Sequence, residues 1–339
     1  MKTFILLLSL ISVSAFSVEW HTQQIDANVS LRGSAMIDGV MWVSGSDNSV
    51  FVSKDLGKTW QDVSVKAELL TDFRDIEVFD ENTAIVMGVG NGKLSRLYLT
   101  EDQGVSWTLL LQNQHKNGFF DSMAFWDRNN GLLLGDPIND RFVILRTRDG
   151  GKNWHRTGLK NMPELLDREI AFAASGNTLM VGKTEQAWFT TGGYSSSVYT
   201  SQDGGEYWQR THIPLYDDTQ TAGGYGLAQN TLGDVFVIGG DYQQRDKHDA
   251  NTVYLKGKVW HKARNTTSGL KTAMVCHRAT CVATGKLVTD ISFDHGFSWE
   301  PLLINGQQQG FYTLAIEGST VVAAGHNGRV AVYTLPKVK

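Results

Sequence analysis

The sequence predicts an all-β fold, a seven-bladed β-propeller, because two repeated patterns run along its 339 residues. The first is S/T-x-D-x-G-x-x-W, which occurs five times and is seen in VFVSKDLGKTW at residues 50–60. The second is a series of tryptophans at positions 20, 60, 107, 154, 208, 260 and 299, each followed by an alternating strand pattern. Seven repeats of about 45 residues, with many glycines and short strands, are typical of a propeller with four-stranded blades.

We expect each S/T-x-D-x-G-x-x-W segment, here called a box, on the turn between the third and outermost strands of a blade. The Asp carboxylate can accept N–H bonds within its own turn, and the Gly permits a positive φ there. The Trp offers a large apolar face for packing between neighbouring blades. One repeat has lost its box and keeps only Trp260, after the strand NTVYLK. The box residues predicted to be structural are Ser53, Asp55, Gly57, Trp60, Thr100, Asp102, Gly104, Trp107, Thr147, Asp149, Gly151, Trp154, Ser201, Asp203, Gly205, Trp208, Ser292, Asp294, Gly296 and Trp299.

The two ends of the chain predict how the ring closes. Trp20 opens the tryptophan series without any inner strands before it, whereas FYTLAIEGSTVVAAGHNGRVAVYT near the C-terminus supplies three strands and then stops. We therefore expect the N-terminal segment EWHTQQI to be the fourth strand of the last blade. Such closure removes the free sheet edges that an open array would expose.

Residues 1–15 predict a secretory signal. Lys2 is followed by an apolar run and then by the small residues Ser14 and Ala15, so we expect cleavage after Ala15. The apolar run is too short to span a membrane comfortably, and no other stretch could cross one. We therefore predict export to a periplasm or secretion, with residues 16–339 forming a single domain that does not span the membrane.

Composition and motifs exclude several function classes. The net charge of −4 gives no overall attraction to nucleic acid. No Gly-rich phosphate loop before a helix, G-x-S-x-G or His-rich metal signature occurs, so we expect no cofactor and no metal. We also expect the protein to be a monomer. Cys276 and Cys281 flank a short turn, where an oxidising compartment favours a disulfide; two buried free thiols are the alternative.

The box resembles the Asp-box, or bacterial neuraminidase repeat, of sialidases, xyloglucanases, sortilin-type receptors and the photosystem II stability/assembly factor family. Inner-strand segments such as SLRGSAMIDGVMWVSG and FFDSMAFWDRNNGLLLGDP are similar to the last family, particularly to its non-photosynthetic bacterial relatives. The resemblance implies an exported, non-catalytic binding or assembly-factor protein. In the photosystem family an arginine-rich patch is implicated in binding a membrane-protein subunit.

The predicted blades place many charged residues on the face opposite the boxes. That face carries the loops between blades and the loops from second to third strands, and we expect it to bind a protein or peptide partner. We also assign to it the insertions 182–197, with Lys183 and Glu185, and 239–251. The binding candidates are Arg32, Arg74, Asp75, Arg96, Asp121, Asp136, Arg141, Arg168, Asp241, Tyr242 and Arg329.

A carbohydrate-active propeller, either a hydrolase or a lectin, is the alternative, with a glycan as ligand. A sialidase would use an arginine cluster and a tyrosine nucleophile, for which Tyr225 and Tyr242 are candidates, but the Arg-Ile-Pro element typical of sialidases is missing from the SLRGS strand. A two-carboxylate glycosidase would draw its pair from Asp75, Asp121, Asp136 and Asp241. A catalytic function is therefore left open, and a non-catalytic one is favoured.

Overall fold

The computed structural model describes residues 16–18, 20–247 and 251–336, and these form seven mainly antiparallel sheets. The innermost strand of each sheet contacts that of the next, and the last contacts the first, so the sheets close into a ring. The fold is the predicted seven-bladed β-propeller. None of the helices within these ranges is long and apolar enough to cross a membrane. The predicted signal, residues 1–15, lies outside the described residues.

The chain begins with β1 (Phe16–Val18) and β2 (His21–Gln24) and then builds the blades in order. Blade 1 contains β3 to β6: Leu31–Ile37, Val40–Gly45, Val50–Ser53 and Gln61–Asp62. Blade 2 contains β7 to β10: Asp72–Val78, Ala84–Val89, Arg96–Thr100 and Thr108–Gln112. Blade 3 contains β11 to β14: Phe120–Phe125, Gly131–Gly135, Val143–Thr147 and His155–Arg156. Blade 4 contains β15 to β18: Leu179–Val181, Ala187–Thr190, Ser197–Ser201 and Gln209–His212.

The remaining blades continue this order. Blade 5 contains β19 to β22: Ala222–Gln229, Val235–Asp241, Thr252–Lys256 and Val259–Lys262. Blade 6 contains β23 to β27: Ala273–His277, Thr280–Thr284, Thr289–Ser292, Glu300–Ile304 and Gln307–Gln308. Blade 7 contains β28 to β30: Thr313–Glu317, Thr320–Ala324 and Arg329–Thr334. The described residues also form short 3-10 helices at Gly92–Leu94, Leu159–Asn161 and His326–Gly328.

The N-terminal segment closes the ring as predicted. Strand β2 pairs antiparallel with β30, with His21 opposite Val332, and so supplies the outermost strand of blade 7. Trp20 is buried beside this strand and stacks on Tyr333 with ring centroids 4.9 Å apart. The structure also adds β1, which the sequence did not predict, in parallel pairing with β26 of blade 6.

Apolar side chains between adjacent blades form the core. All six residues of β4 and all six of β8 are buried, because each blade is covered on both faces by its neighbours. Between blades 3 and 4, for example, Leu132, Phe142, Phe189 and Tyr199 belong to one buried cluster. This two-sided burial explains why the second strands read as continuous apolar runs in the sequence.

The five boxes lie on turns between the third and fourth strands of blades 1, 2, 3, 4 and 6. In the first, the Ser53 hydroxyl accepts the N–H of Gly57 at 2.8 Å and donates to Asp55 at 2.9 Å. The Asp55 carboxylate also accepts the N–H and hydroxyl of Thr59, and these bonds lower its pKa to about 2. The φ of Gly57 is +81°, a conformation that favours glycine.

The other four boxes repeat this Ser/Thr–Asp–Gly arrangement. The hydroxyl accepts the glycine N–H at 2.8–2.9 Å in each of them. In blade 2 the turn also contacts the preceding blade, since Trp107 Nε1 donates to the Val63 carbonyl at 2.8 Å. Each box is therefore a turn held by side chain-to-backbone hydrogen bonds.

The strand positions in blade 4 correct one expectation. Segment 182–186 joins β15 to β16, the first and second strands, so Lys183 and Glu185 lie on the same side as the boxes. The Glu185 carbonyl accepts the N–H of Gly204, inside the blade 4 box. The prediction was wrong because it took AFAASGNTLMVG, residues 171–182, as inner-strand sequence, whereas only LMV, residues 179–181, forms the innermost strand. Only residues 191–196 of that insertion form the loop on the opposite face. In the other insertion, residues 248–250 lie outside the described ranges.

Cys276 and Cys281 lie opposite each other on β23 and β24 and form a disulfide. This pairing selects the bonded alternative over two free thiols.

Candidate functional site

A cavity of about 320 Å³ lies at the ring axis on the face opposite the boxes, and we call it the axial cavity. Its wall is built from strand ends and loops of all seven blades. The side chains that define its chemistry are Arg32, Arg74, Phe119, Asp121, Asp136, Phe172, Tyr225, Tyr242, Arg245, Lys286 and Tyr312.

Four β-bulges aim side chains into this cavity. The pairing register of the innermost strand shifts at Arg32 in blade 1, at Arg74 in blade 2, at Asp121 in blade 3 and at Tyr225 in blade 5. Each bulged residue lines the axial cavity. Bulges insert one unpaired residue, bend the strand and re-aim a side chain, and they are over-represented next to functional sites.

Arg32 and Arg74, together with Arg245 and Lys286, form the cationic part of the wall. Arg74 Nε lies 2.7 Å from Asp72 Oδ2, and its Nη1 donates to the Ala173 carbonyl at 2.8 Å. Arg32 Nε lies 4.0 Å from the same Asp72 oxygen, and its guanidinium lies over the Tyr312 ring at 4.4 Å. Burial and the neighbouring Arg74 charge lower the pKa of Arg32. One carboxylate, Asp72, is thus shared by two guanidinium groups, which keep further N–H donors for an anion.

Two carboxyl groups of blade 3, Asp121 and Asp136, form the acidic part, and we call them the acid pair. Asp121 is 1% exposed, and its Oδ2 has no hydrogen-bond partner among the described residues. Burial and the nearby Asp136 charge raise the pKa of Asp121 well above its usual range. Burial also raises the pKa of Asp136 to about 6, against a hydrogen bond from the Ala171 N–H. Neither forms an ion pair with any described residue.

Aromatic rings form the apolar part of the wall. Phe172 stacks on Tyr225 with centroids 4.2 Å apart and planes 4° from parallel. Tyr242 meets the edge of Phe172 and is 41% exposed, so it is accessible to a ligand. The Tyr225 hydroxyl donates to the Thr221 carbonyl at 2.6 Å, which fixes the ring. The cavity can therefore hold a ligand that combines charged groups with an apolar part.

Of the eleven binding candidates, Arg32, Arg74, Asp121, Asp136 and Tyr242 come together in the axial cavity. The structure places the other six elsewhere.

Three of the others have roles inside the fold. Asp75 lies in a second cavity nearer the box side, where its Oδ2 accepts the Met123 N–H at 2.7 Å. Arg96 is buried and donates to the Tyr98 hydroxyl. Asp241 accepts hydrogen bonds from the hydroxyls of Thr219 and Thr221 and so fixes the start of β19.

The remaining three lie away from the axial cavity. Arg141 pairs with Glu164 at 2.7 Å, and Arg168 pairs with its exposed neighbour Asp167 at 3.2 Å. Arg329 donates to Gln309 and to the Gly310 carbonyl, and its guanidinium lies over Phe311.

Phe172, Lys286, Tyr312 and Asp72 belong to the site but were not singled out from the sequence. Tyr312 had a usable signal, since it follows a buried apolar residue at the start of an innermost strand, as Arg32 and Arg74 do. Phe172 lies in AFAASGNT, which reads as inner-strand sequence, so nothing distinguished it from a core residue. Across the described residues, no group of three or more His, Cys, Asp or Glu side chains could hold a metal ion.

Comparisons with known proteins show the fold and no family. No family model matches the sequence, and no curated protein matches it. Among solved structures, the chain is similar to YCF48 bound to D1 peptide, with 15% identity and a TM-score of 0.66 over 97% of this chain and 100% of that one. It is also similar to virginiamycin B lyase from Staphylococcus aureus, with 11% identity and a TM-score of 0.65 over 94% of this chain and 100% of that one.

A third similar structure is the GH74 xyloglucanase from Xanthomonas campestris, with 15% identity and a TM-score of 0.61 over 94% of this chain and 54% of that one. The proteins named thus include a peptide-bound propeller and two enzymes, so the shared fold leaves function to be argued from the site.

Proposed function

We propose that this protein is an exported, non-catalytic binding protein of the assembly-factor type, which holds a peptide or protein segment in the axial cavity. The observation that carries the proposal is the set of four bulges, which aim Arg32, Arg74, Asp121 and Tyr225 at one cavity. A bulge interrupts the hydrogen-bond ladder and so does not stabilise the sheet. Its recurrence at the same position in four blades therefore supports a role in shaping the cavity wall.

The arginines define the anchor for the ligand. Within the described part of the chain, Asp72 is the single ion-pair partner that the guanidinium groups of Arg32 and Arg74 share, so a carboxylate of the ligand adds a second anion to two cations. Such a group is supplied by an acidic side chain or by a free chain terminus. The solved YCF48 structure with D1 peptide supports a peptide ligand, since a propeller similar to this one holds a peptide.

A library of acetylated hexapeptides with free carboxyl ends tests this proposal. Immobilised protein consisting of residues 16–339 should retain a subset of the library, and Arg74→Gln should weaken binding of the retained peptides at least tenfold by fluorescence polarisation. Arg148→Gln is the matched control, because Arg148 is exposed within the blade 3 box. Retention of no peptide by the native protein, or equal affinities for native and Arg74→Gln, would refute the proposal.

Export is the second part of the proposal and rests on residues 1–15. When the full chain is expressed with its own N-terminus in a bacterial host, the protein should appear in the periplasm or medium with Phe16 as its first residue. Mass spectrometry of the intact protein measures this directly. An unprocessed chain retained in the cytoplasm would contradict it.

A carbohydrate-active propeller is the second candidate, and the acid pair beside Phe172 and Tyr242 is the observation that favours it. Glycoside hydrolysis needs two carboxyl groups flanking the scissile bond. Asp121 and Asp136 instead come from adjacent strand ends of one blade, since Phe120 and Gly135 are paired. Release of reducing sugar from xyloglucan, abolished by Asp136→Asn, would establish this candidate in place of the first.

A further inference from the structure

The acid pair is short of positive charge. Arg74 acts to lower the pKa of Asp121, yet burial and Asp136 outweigh it. Arg74 and Arg32 form no ion pair with either member of the acid pair among the described residues, because both are oriented toward Asp72. Asp121 lines the cavity, and its buried Oδ2 has no hydrogen-bond partner among the described residues; a buried carboxyl group of this kind is costly unless a nearby positive charge compensates it.

The acid pair and the arginines face one small space. Arg74 is close enough to Asp121 to influence its ionisation, and both line the same cavity of about 320 Å³. This volume is at the lower end for ligand sites, so it holds one or two residues of a peptide. A group bound at the arginines and a group bound at the acid pair must then belong to the same or adjacent residues of the ligand.

We propose that the axial cavity selects a zwitterionic peptide element, with a carboxylate held by Arg32 and Arg74 and a neighbouring lysine or arginine side chain held by Asp121 and Asp136. The inference rests on the proposed peptide-binding function and names the chemistry of its ligand. The cation donates to the half-buried Asp136, and its charge compensates the buried Asp121 carboxyl group beside it. Its alkyl stem packs against the stacked rings of Phe172 and Tyr225.

The competing arrangement is a neutral acid pair that binds peptide amide groups. A protonated carboxyl group can donate one hydrogen bond and accept others, and it gains nothing from a cation. The two arrangements differ in their response to the ligand side chain. A cationic side chain strengthens binding only if the acid pair receives it as carboxylate.

The hexapeptide library distinguishes these outcomes. Peptides retained by the native protein should carry lysine or arginine within two residues of a carboxylate at least fivefold more often than the input library. Replacing that lysine by norleucine, which keeps the stem and removes the charge, should weaken binding at least tenfold on the native protein. This comparison does not depend on the folding of any variant.

Protein variants provide the second arm. Asp136→Asn and the double variant Asp121→Asn/Asp136→Asn should still retain carboxylate peptides but lose the preference for lysine over norleucine. Glu81→Gln, an exposed acidic residue on the box side, should keep it. Thermal melting confirms that each variant is folded.

The results separate the two proposals. Retention of peptides without enrichment of lysine or arginine, or equal binding of lysine and norleucine peptides, overturns the zwitterion inference and leaves peptide binding standing. Persistence of the preference in the double variant also overturns it. Retention of no peptide at all refutes the proposed function itself.

Discussion

Asp75 should make the stability of the propeller fall as pH rises. Its carboxyl group is buried, and burial raises its pKa to about 8, against hydrogen bonds from the Met123 N–H and the Ser122 hydroxyl. In the unfolded chain the same group has an ordinary pKa of 3.8. Between these two values the folded state holds a proton that the unfolded state has lost, so ionisation of Asp75 disfavours folding.

The size of the effect follows from the width of that window. A group whose pKa is raised in the folded state contributes stability that is fully present below its pKa in the unfolded chain. That contribution is lost as pH rises toward its pKa in the folded protein. Each pH unit inside the window costs about 1.4 kcal/mol, so the Asp75 contribution falls by roughly 3 kcal/mol between pH 5 and pH 7. Glu77 works in the same direction, because burial and the Asp75 charge raise its pKa.

Asp75→Asn isolates this contribution, because the amide is a close copy of the protonated carboxyl group and does not titrate. The free energy of unfolding, measured by urea denaturation with tryptophan fluorescence, should be similar for both proteins at pH 4. From pH 5 to pH 7, the free energy of unfolding of the variant should rise by roughly 3 kcal/mol relative to that of the native protein. Glu68→Gln, at an exposed carboxyl group, should follow the native curve. Parallel curves for native protein and Asp75→Asn would show that the two hydrogen bonds keep Asp75 ionised, and would refute the reasoning.

Three further perturbations test other parts of the structure, each by urea denaturation. Thr147→Val leaves the buried N–H of Gly151 without its 2.9 Å acceptor and should cost about 1–3 kcal/mol; an unchanged midpoint would contradict the role given to the box hydroxyl. Asp290→Asn removes the charge that lies 3.1 Å from the fully buried Lys271 and should cost roughly 3–5 kcal/mol, whereas a smaller loss than at Thr147 would be unexpected. The blade 6 disulfide closes a loop of only six residues, so its reduction should cost about 2 kcal/mol by the loop-entropy relation; complete unfolding on reduction would contradict this reasoning.

The sequence was sufficient to predict the fold because the same pattern recurs in successive repeats, so each repeat tests the reading of the others. The spacing of the box and of Trp20 to Trp299 predicted seven blades, and the missing outer strand at the C-terminus identified 19–25 as the closing segment. The same reasoning failed in blade 4, where AFAASGNT, residues 171–178, has the apolar composition of a strand but belongs to none. The boxes lie between the third and fourth strands, so they do not show where the innermost strand of a blade begins and ends.

The sequence predicted which face of the propeller carries the candidate site, but not which residues line it. The loop assignment placed Arg32, Arg74, Asp121, Asp136 and Tyr242 on one surface, and the structure brings these five into one cavity. The loop assignment could not separate these five from Arg141 and Arg168. Those two arginines were placed on the same surface, but they form ion pairs with Glu164 and Asp167. Whether a charged side chain points to the axis or along the surface depends on backbone register, and charge patterns do not report that.

The bulges determine which side chains of the innermost strands point to the axis of the ring. A regular strand places alternate side chains on its two faces, so an innermost strand without interruption directs residues toward one neighbouring blade or the other. One inserted residue is left outside this alternation, and at the end of an innermost strand the space available to it is the axis of the ring. The buried apolar residue before Arg32, Arg74 and Asp121 stays in the core while the bulged residue faces the cavity. The boxes therefore hold the turns on one face of the propeller, and the bulges present side chains to the axial cavity on the other. Of the four bulge residues, Tyr225 also contributes to packing, because its ring stacks on Phe172 and both belong to one buried cluster.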